Sequence, residues 1–163
     1  MMEGPPRSPG LHVTKIIKAM EEEVFHKKYA NWENAMYIGF IWEELLSLAF
    51  REYLGKRPDE LELDGIAGSP DGIDFENWIL EEYKCTWRSA KTPPWEIWKY
   101  MTQVKAYCKM LDTRVVKMRI LYLNGYYDGK GPVYKCYLIS FTQLEIEENW
   151  IMLVNYARSK GWL

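Results

Sequence analysis

The chain has 163 residues, 48% of them hydrophobic and 27% charged, with a formal net charge of −2. That length suffices for one domain with a sizeable core, and the acidic balance argues against a protein that holds nucleic acid by bulk charge alone. No apolar run reaches the roughly 18 residues of a membrane span. The opening "MMEGPPRSPG" lacks the apolar core of a secretory signal. It reads as a flexible tail over residues 1–10, which leaves 11–163 as the domain. Cys85, Cys108 and Cys136 are widely spaced. They fit neither a disulfide framework nor a zinc pattern and point to a reduced, intracellular setting.

Taken in chain order, Thr14 is placed to cap a helix through "KIIKAMEEEVFHKKY", with Ile16, Ile17, Met20 and Val24 at helical spacing. A second helix is expected from about Glu33 to Leu54, ending at Gly55. The Gly-rich, alternating "ELELDGIAGSPDGIDF" reads as a strand with a bulge and a turn, and "NWILEEYKCTW" as the strand that follows it. "SAKTPPW" is a loop, and a third helix is expected over about Trp95 to Leu111. "RVVKMRILYLNG" and "PVYKCYLISF" are strands around a "GYYDGKG" turn. Thr142 and Glu145 fit a capping box opening a final helix to Lys160, with Ile146, Trp150, Leu153, Val154 and Ala157 as its apolar stripe. The order predicts a single α/β domain.

The charges are unevenly distributed. Nine acidic residues and no Lys or Arg fall between Asp59 and Glu82, whereas from Lys84 to Lys109 there are six basic residues against Glu96 alone. An acidic block beside a basic one suits a site that holds divalent cations next to a polyanion. Folding the hairpin between Glu76 and Asn77 sets residue 71 opposite residue 82, so that Asp71 and Glu82 share a face. Lys84 joins them, because side chains alternate along a strand. Two carboxylates and a lysine at a sheet edge suit metal-assisted phosphodiester hydrolysis. The carboxylates hold Mg²⁺ or Mn²⁺, and the lysine orients water or stabilises negative charge on the phosphate.

"SPDGI" followed by "LEEYKCT" resembles the PD-(D/E)XK nuclease superfamily. The chain looks most like its branch of lambda exonuclease, YqaJ-like viral recombinases and RecB-type nucleases. Gly39 and Glu43 in "GFIWEE", Gln103 and Tyr107 in "QVKAY", and the opening "LHVTKII" also match that branch, in its order. The resemblance implies a restriction-endonuclease-like core, a central mixed β-sheet flanked by helices. It implies Asp71, Glu82 and Lys84 as catalytic residues. Glu43, Asp71, Glu82 and the backbone carbonyl of Cys85 would be ligands of one or two Mg²⁺ or Mn²⁺ ions. Glu44 competes with Glu43, but about 100° of helical rotation lets only one face the site. Gln103 and Tyr107 would contact the DNA backbone or strand end. Arg88, Lys91 and Lys105 would lie on a DNA-facing wall over Arg88–Lys109, and Trp87, Trp95 or Trp98 would stack on an unpaired base. Three cysteines cannot supply the four ligands of the iron–sulfur cluster found in CRISPR-associated members, so no such cluster is expected.

The expected activity is that of a metal-dependent DNA exonuclease acting at ends in recombination, repair or replication. A phage or viral source is compatible with it, as is a homo-oligomer or a recombination partner protein. A single-strand or structure-specific endonuclease on the same fold stays open, as does a non-catalytic DNA-binding or assembly module. RNA cleavage is a weaker alternative, since nothing in the sequence reads a 2′-hydroxyl.

Overall fold

The computed structural model describes residues 8–26, 32–49 and 54–163. In chain order its elements are β1 (Leu11–His12), α1 (Val13–Val24), α2 (Trp32–Ala49), β2 (Leu61–Leu63), β3 (Ile66–Gly68), β4 (Gly72–Asp74) and β5 (Ile79–Thr86). A 3₁₀ turn (Pro94–Glu96), α3 (Trp98–Leu111), β6 (Val115–Tyr122), β7 (Val133–Ser140) and α4 (Gln143–Ser159) complete them. The central sheet is mixed, in the order β4-β5-β6-β7. β5 and β6 run parallel, and each of the other two pairings is antiparallel. A parallel neighbour requires a crossover, and α3 lies on that connection. A second, small sheet has the order β1-β3-β2.

Alternation along the strands builds a core on each face. Leu80, Val116, Met118, Ile120 and Tyr122 point to one side and pack with α1, α3 and α4. Tyr83, Cys85 and Leu121 point to the other, where Trp42 and Leu46 of α2 cover them. The fold is thus a mixed sheet with helices on both faces, as expected.

The β4–β5 hairpin has the register read from the sequence. Gly72 pairs with Glu81, Ile73 with Leu80 and Asp74 with Ile79. Asp74 closes the turn by accepting hydrogen bonds from the backbone N–H groups of Glu76 and Asn77. The capping box of α4 is also present: Thr142 Oγ1 accepts from Glu145 N, and the Glu145 carboxylate accepts from Thr142 N. All five residues of the α4 stripe are buried.

Four local expectations are corrected. "ELELDGIAGSPDGIDF" is three short strands in two sheets rather than one bulged strand. Asp64 and Gly65 both take positive φ, 52° and 78°. That is the geometry of a two-residue hairpin turn, and it folds β2 onto β3. Thr14 is not a cap. Leu11 and His12 pair with Ile66 and Ala67 in a strand that passes straight into α1, so His12 takes the cap position, with no side-chain cap bond. Val24, placed in the apolar stripe of α1, is 59% exposed at the helix end. The third helix starts at Trp98, because Ile97 is extended and separates it from the 3₁₀ turn. The expected helix ends at Tyr29 and in 50–53, and the tail residues 1–7, lie outside the described residues.

Candidate active site

β4 begins only at Gly72, so among the described residues β5 has no strand partner on that edge beyond Glu81. Asp71 takes the missing partner's place: the backbone N–H of Tyr83 donates to Asp71 Oδ2 at 2.8 Å. This fixes the carboxylate beside Glu82, which is 1% exposed. Lys84, two residues on and on the same face, donates to Glu82 Oε1 at 2.5 Å and to Gln103 Oε1 at 2.9 Å. Gln103 Nε2 in turn donates to the Tyr107 hydroxyl at 3.1 Å, one turn along α3. The result is a chain of side chains, Glu82–Lys84–Gln103–Tyr107, that locks the lysine in one place.

Glu43 reaches the same edge from α2. It lines a cleft of about 240 Å³ with Asp71, Tyr83 and Arg57, and it accepts from Arg57 Nη1 at 3.3 Å. Glu44 is exposed. On the other side of Lys84 lies a groove of about 310 Å³ that Lys18, Lys99, Tyr100 and Gln103 help to line. Lys84 and the carboxylates therefore sit between two depressions. Arg88 and Lys91 are exposed on the loop after β5. Cys85 follows Lys84 along β5, with its side chain packed under α2.

Two of the residues read as DNA contacts stand apart from the exposed part of the cluster. Tyr107 is 2% exposed, and its hydroxyl accepts from Gln103 Nε2. Lys105 is two residues from Gln103 on α3, about 200° around the helix. Its ammonium lies 5.2 Å from the Phe141 ring, and it does not join the cluster. Sequence reasoning missed Arg57, whose "KRPDE" setting carries no motif. It also missed the role of Tyr83 N–H, which only the short β4 reveals.

Burial pushes the Glu82 carboxyl up to about 8; the neighbouring Asp71 charge adds to this and Lys84 opposes it. Burial also raises the Glu43 carboxyl, again with Asp71 adding, while Arg57 and Lys84 pull it back. For Lys84, burial disfavours the charge, but Glu82 and Asp71 outweigh it and hold the ammonium above its ordinary range. Lys84 therefore keeps its proton. Glu82 Oε2, the oxygen that does not accept from Lys84, is buried with no hydrogen-bond partner.

A raised carboxyl means that the folded chain binds more protons than the unfolded one between about pH 4.5 and 8. In that window, stability from this group falls as pH rises. Metal-free protein is therefore expected to lose melting temperature from pH 5 to pH 8, with a flatter profile in Glu82→Gln. Scanning calorimetry across that range checks it, and an unchanged slope in the variant would contradict it.

The donor set fits a hard divalent cation. Its oxygens are carboxylates, and the partnerless Glu82 Oε2 lies beside Asp71. Among the described residues, no group of three or more His, Cys, Asp or Glu side chains forms a preassembled cage. Mg²⁺ does not need one, since it is commonly held by one or two carboxylates, waters and substrate phosphates.

No family model matches the sequence, and no curated protein does. Solved structures match its fold. A phage-related exonuclease from Haemophilus somnus 129PT is similar with a TM-score of 0.51 at 12% identity, covering 88% of this chain and 79% of that one. The alkaline exonuclease LHK-Exo from Laribacter hongkongensis is similar with a TM-score of 0.56 at 14% identity, covering 92% of this chain and 87% of that one. The same enzyme in complex with dAMP gives a TM-score of 0.54 at 14% identity over the same shares. The chain shares its fold with these exonucleases.

Proposed function

We propose that this chain, sharing its fold with a phage-related and an alkaline exonuclease, is a divalent-metal-dependent DNA nuclease that acts at strand ends. The observation that carries this reading is the buried Glu82 Oε2, which has no partner, set beside Asp71 and opposite a lysine locked by Gln103. Asp71 and Glu82 would hold Mg²⁺ or Mn²⁺, with Glu43 turning to it from Arg57 and the Cys85 carbonyl next along the strand. Once bound, such an ion polarises the phosphoryl group and lowers the pKa of bound water.

The chain's own residues supply the rest. Lys84, held as a cation, is a donor and not a base. Its ammonium orients the attacking water or neutralises charge developing on the phosphate. Gln103 keeps the lysine aimed, and Tyr107 keeps Gln103 aimed. Arg88 and Lys91, exposed beyond the end of β5, would take backbone phosphates, which position DNA without reading sequence. DNA as substrate is supported by the exonuclease neighbours, one of them in complex with dAMP.

Incubating end-labelled linear DNA and closed circles with Mg²⁺ tests this proposal. Linear DNA is expected to be degraded while circles stay closed, and the labelled end that survives gives the polarity. Nicked circles would move the reading to an endonuclease. Intact DNA of every form would remove the nuclease reading.

A further inference from the structure

Four large aromatic side chains stand exposed beyond the C-terminal ends of β5 and β6: Trp87 at 56%, Trp95 at 59%, Tyr126 at 40% and Tyr127 at 63%. Exposed aromatics in such number are unusual on a surface that meets only water. They lie on two segments, 87–96 and 124–131, that are laced together. Ala90 N donates to Gly125 O, and Lys135 Nζ of β7 braces the first segment by donating to Ala90 O, both at 2.7 Å. The Tyr127 hydroxyl and Asn124 Nδ2 both donate to Trp87 O, at 2.7 and 3.3 Å. Gly125 lets the second segment fold tightly on itself, because a Cβ there would meet Gly131 O at 2.2 Å. The rings are therefore carried on a braced platform, where ordering them on a ligand costs little further entropy.

The charge around the rings selects the ligand. Arg88 and Lys91 are exposed on the first segment, and the Lys135 ammonium sits 5.3 Å from the Tyr126 ring. On the second segment Lys130 pairs with Asp128, and Glu96 is the acid beside Trp95. Flat apolar faces interleaved with cations match a strand of unpaired bases joined by phosphates. A duplex buries its base faces and cannot use them. The platform begins at Trp87, three residues beyond Lys84, or about 10 Å at the rise of a strand.

We propose that Trp87, Tyr126, Tyr127 and Trp95 form a stacking platform for single-stranded nucleic acid, which holds an unpaired strand as it passes the Lys84 cluster. The strand's relation to that cluster rests on the nuclease reading; the platform itself does not. Stacking accepts every base, so the platform sets a preference for unpaired over paired strands without reading sequence.

Binding of fluorescein-labelled oligo-dT in EDTA, where no cleavage occurs, is the test. Trp87→Ala and Tyr127→Ala are each expected to weaken binding about tenfold, and blunt duplex binding is expected to stay unchanged. Trp87→Phe and Tyr127→Phe keep a ring and are expected to retain most of the affinity; Tyr127→Phe loses only the bond to the Trp87 carbonyl. Wild-type affinity in both alanine variants would overturn the platform, and so would equal loss of duplex binding or a Tyr127→Phe defect as large as Tyr127→Ala. Cleavage with Mg²⁺, run on the same preparations, separates the two readings. Cleavage with ring-independent binding removes the platform and leaves the nuclease. Ring-dependent binding without cleavage removes the nuclease and leaves the platform.

Discussion

Replacing Lys84 with alanine is expected to lower kcat/KM for DNA cleavage by about 10²–10³-fold, the usual cost of removing one preorganised donor aimed at developing charge. Lys84 sits between Glu82 Oε1 and Gln103 Oε1 on a strand held by β4 and β6, so its ammonium is fixed before substrate arrives. Removing the cation leaves Glu82 beside Asp71, a repulsion that protonation of the raised carboxyl relieves. The melting temperature should therefore change little while activity collapses. Single-turnover kinetics beside a thermal melt checks both halves, and near-normal cleavage by the variant would contradict the role.

The second large effect lies one residue away from the cluster and on the other face of the sheet. Glu81 is 1% exposed and accepts from the Tyr83 hydroxyl at 2.8 Å. Arg119 and Lys117 of the neighbouring strand approach its Oε1, each at 3.4 Å. Burial would raise the Glu81 carboxyl, but Arg119, the Tyr83 hydroxyl and the Gly55 backbone N–H hold it below its ordinary range. Breaking a buried ion pair from one side commonly costs about 3–5 kcal/mol. Glu81→Ala is therefore expected to destabilise the fold by about 3 kcal/mol in urea unfolding. Glu82→Gln is expected to stop cleavage and leave the fold standing. Equal stability in Glu81→Ala and wild type would contradict the structural role.

This contrast shows what was legible in the sequence. Alternation along "LEEYK" separates Glu81 from Glu82 without any coordinates, and the turn between Glu76 and Asn77 fixes which residue opposes Glu82. Helical rotation likewise separates Glu43 from Glu44. The capping box at Thr142 was legible because all its partners lie within four residues. The Asp64–Gly65 hairpin was written in the sequence as well, yet the glycines after it drew the whole stretch into one strand. The Glu81–Arg119 pair spans 38 residues and the Tyr127–Trp87 bond 40. Neither leaves a local pattern, because β5 and β6 meet only through the crossover. The burial of Tyr107 was hidden for a related reason: its spacing from Gln103 places both on one helix face but does not say how deep that face lies.

The central claim is that Asp71 and Glu82 hold a divalent ion for phosphodiester hydrolysis. Asp71→Asn tests it most directly, since Asn can still accept the Tyr83 N–H but loses the charge. Wild type and variant would be incubated with labelled linear DNA in Mg²⁺, in Mn²⁺ and in EDTA. Cleavage by wild type with either ion, abolished by EDTA and absent in Asp71→Asn, is the predicted result. Equal cleavage by the variant, or cleavage by wild type in EDTA, would contradict it.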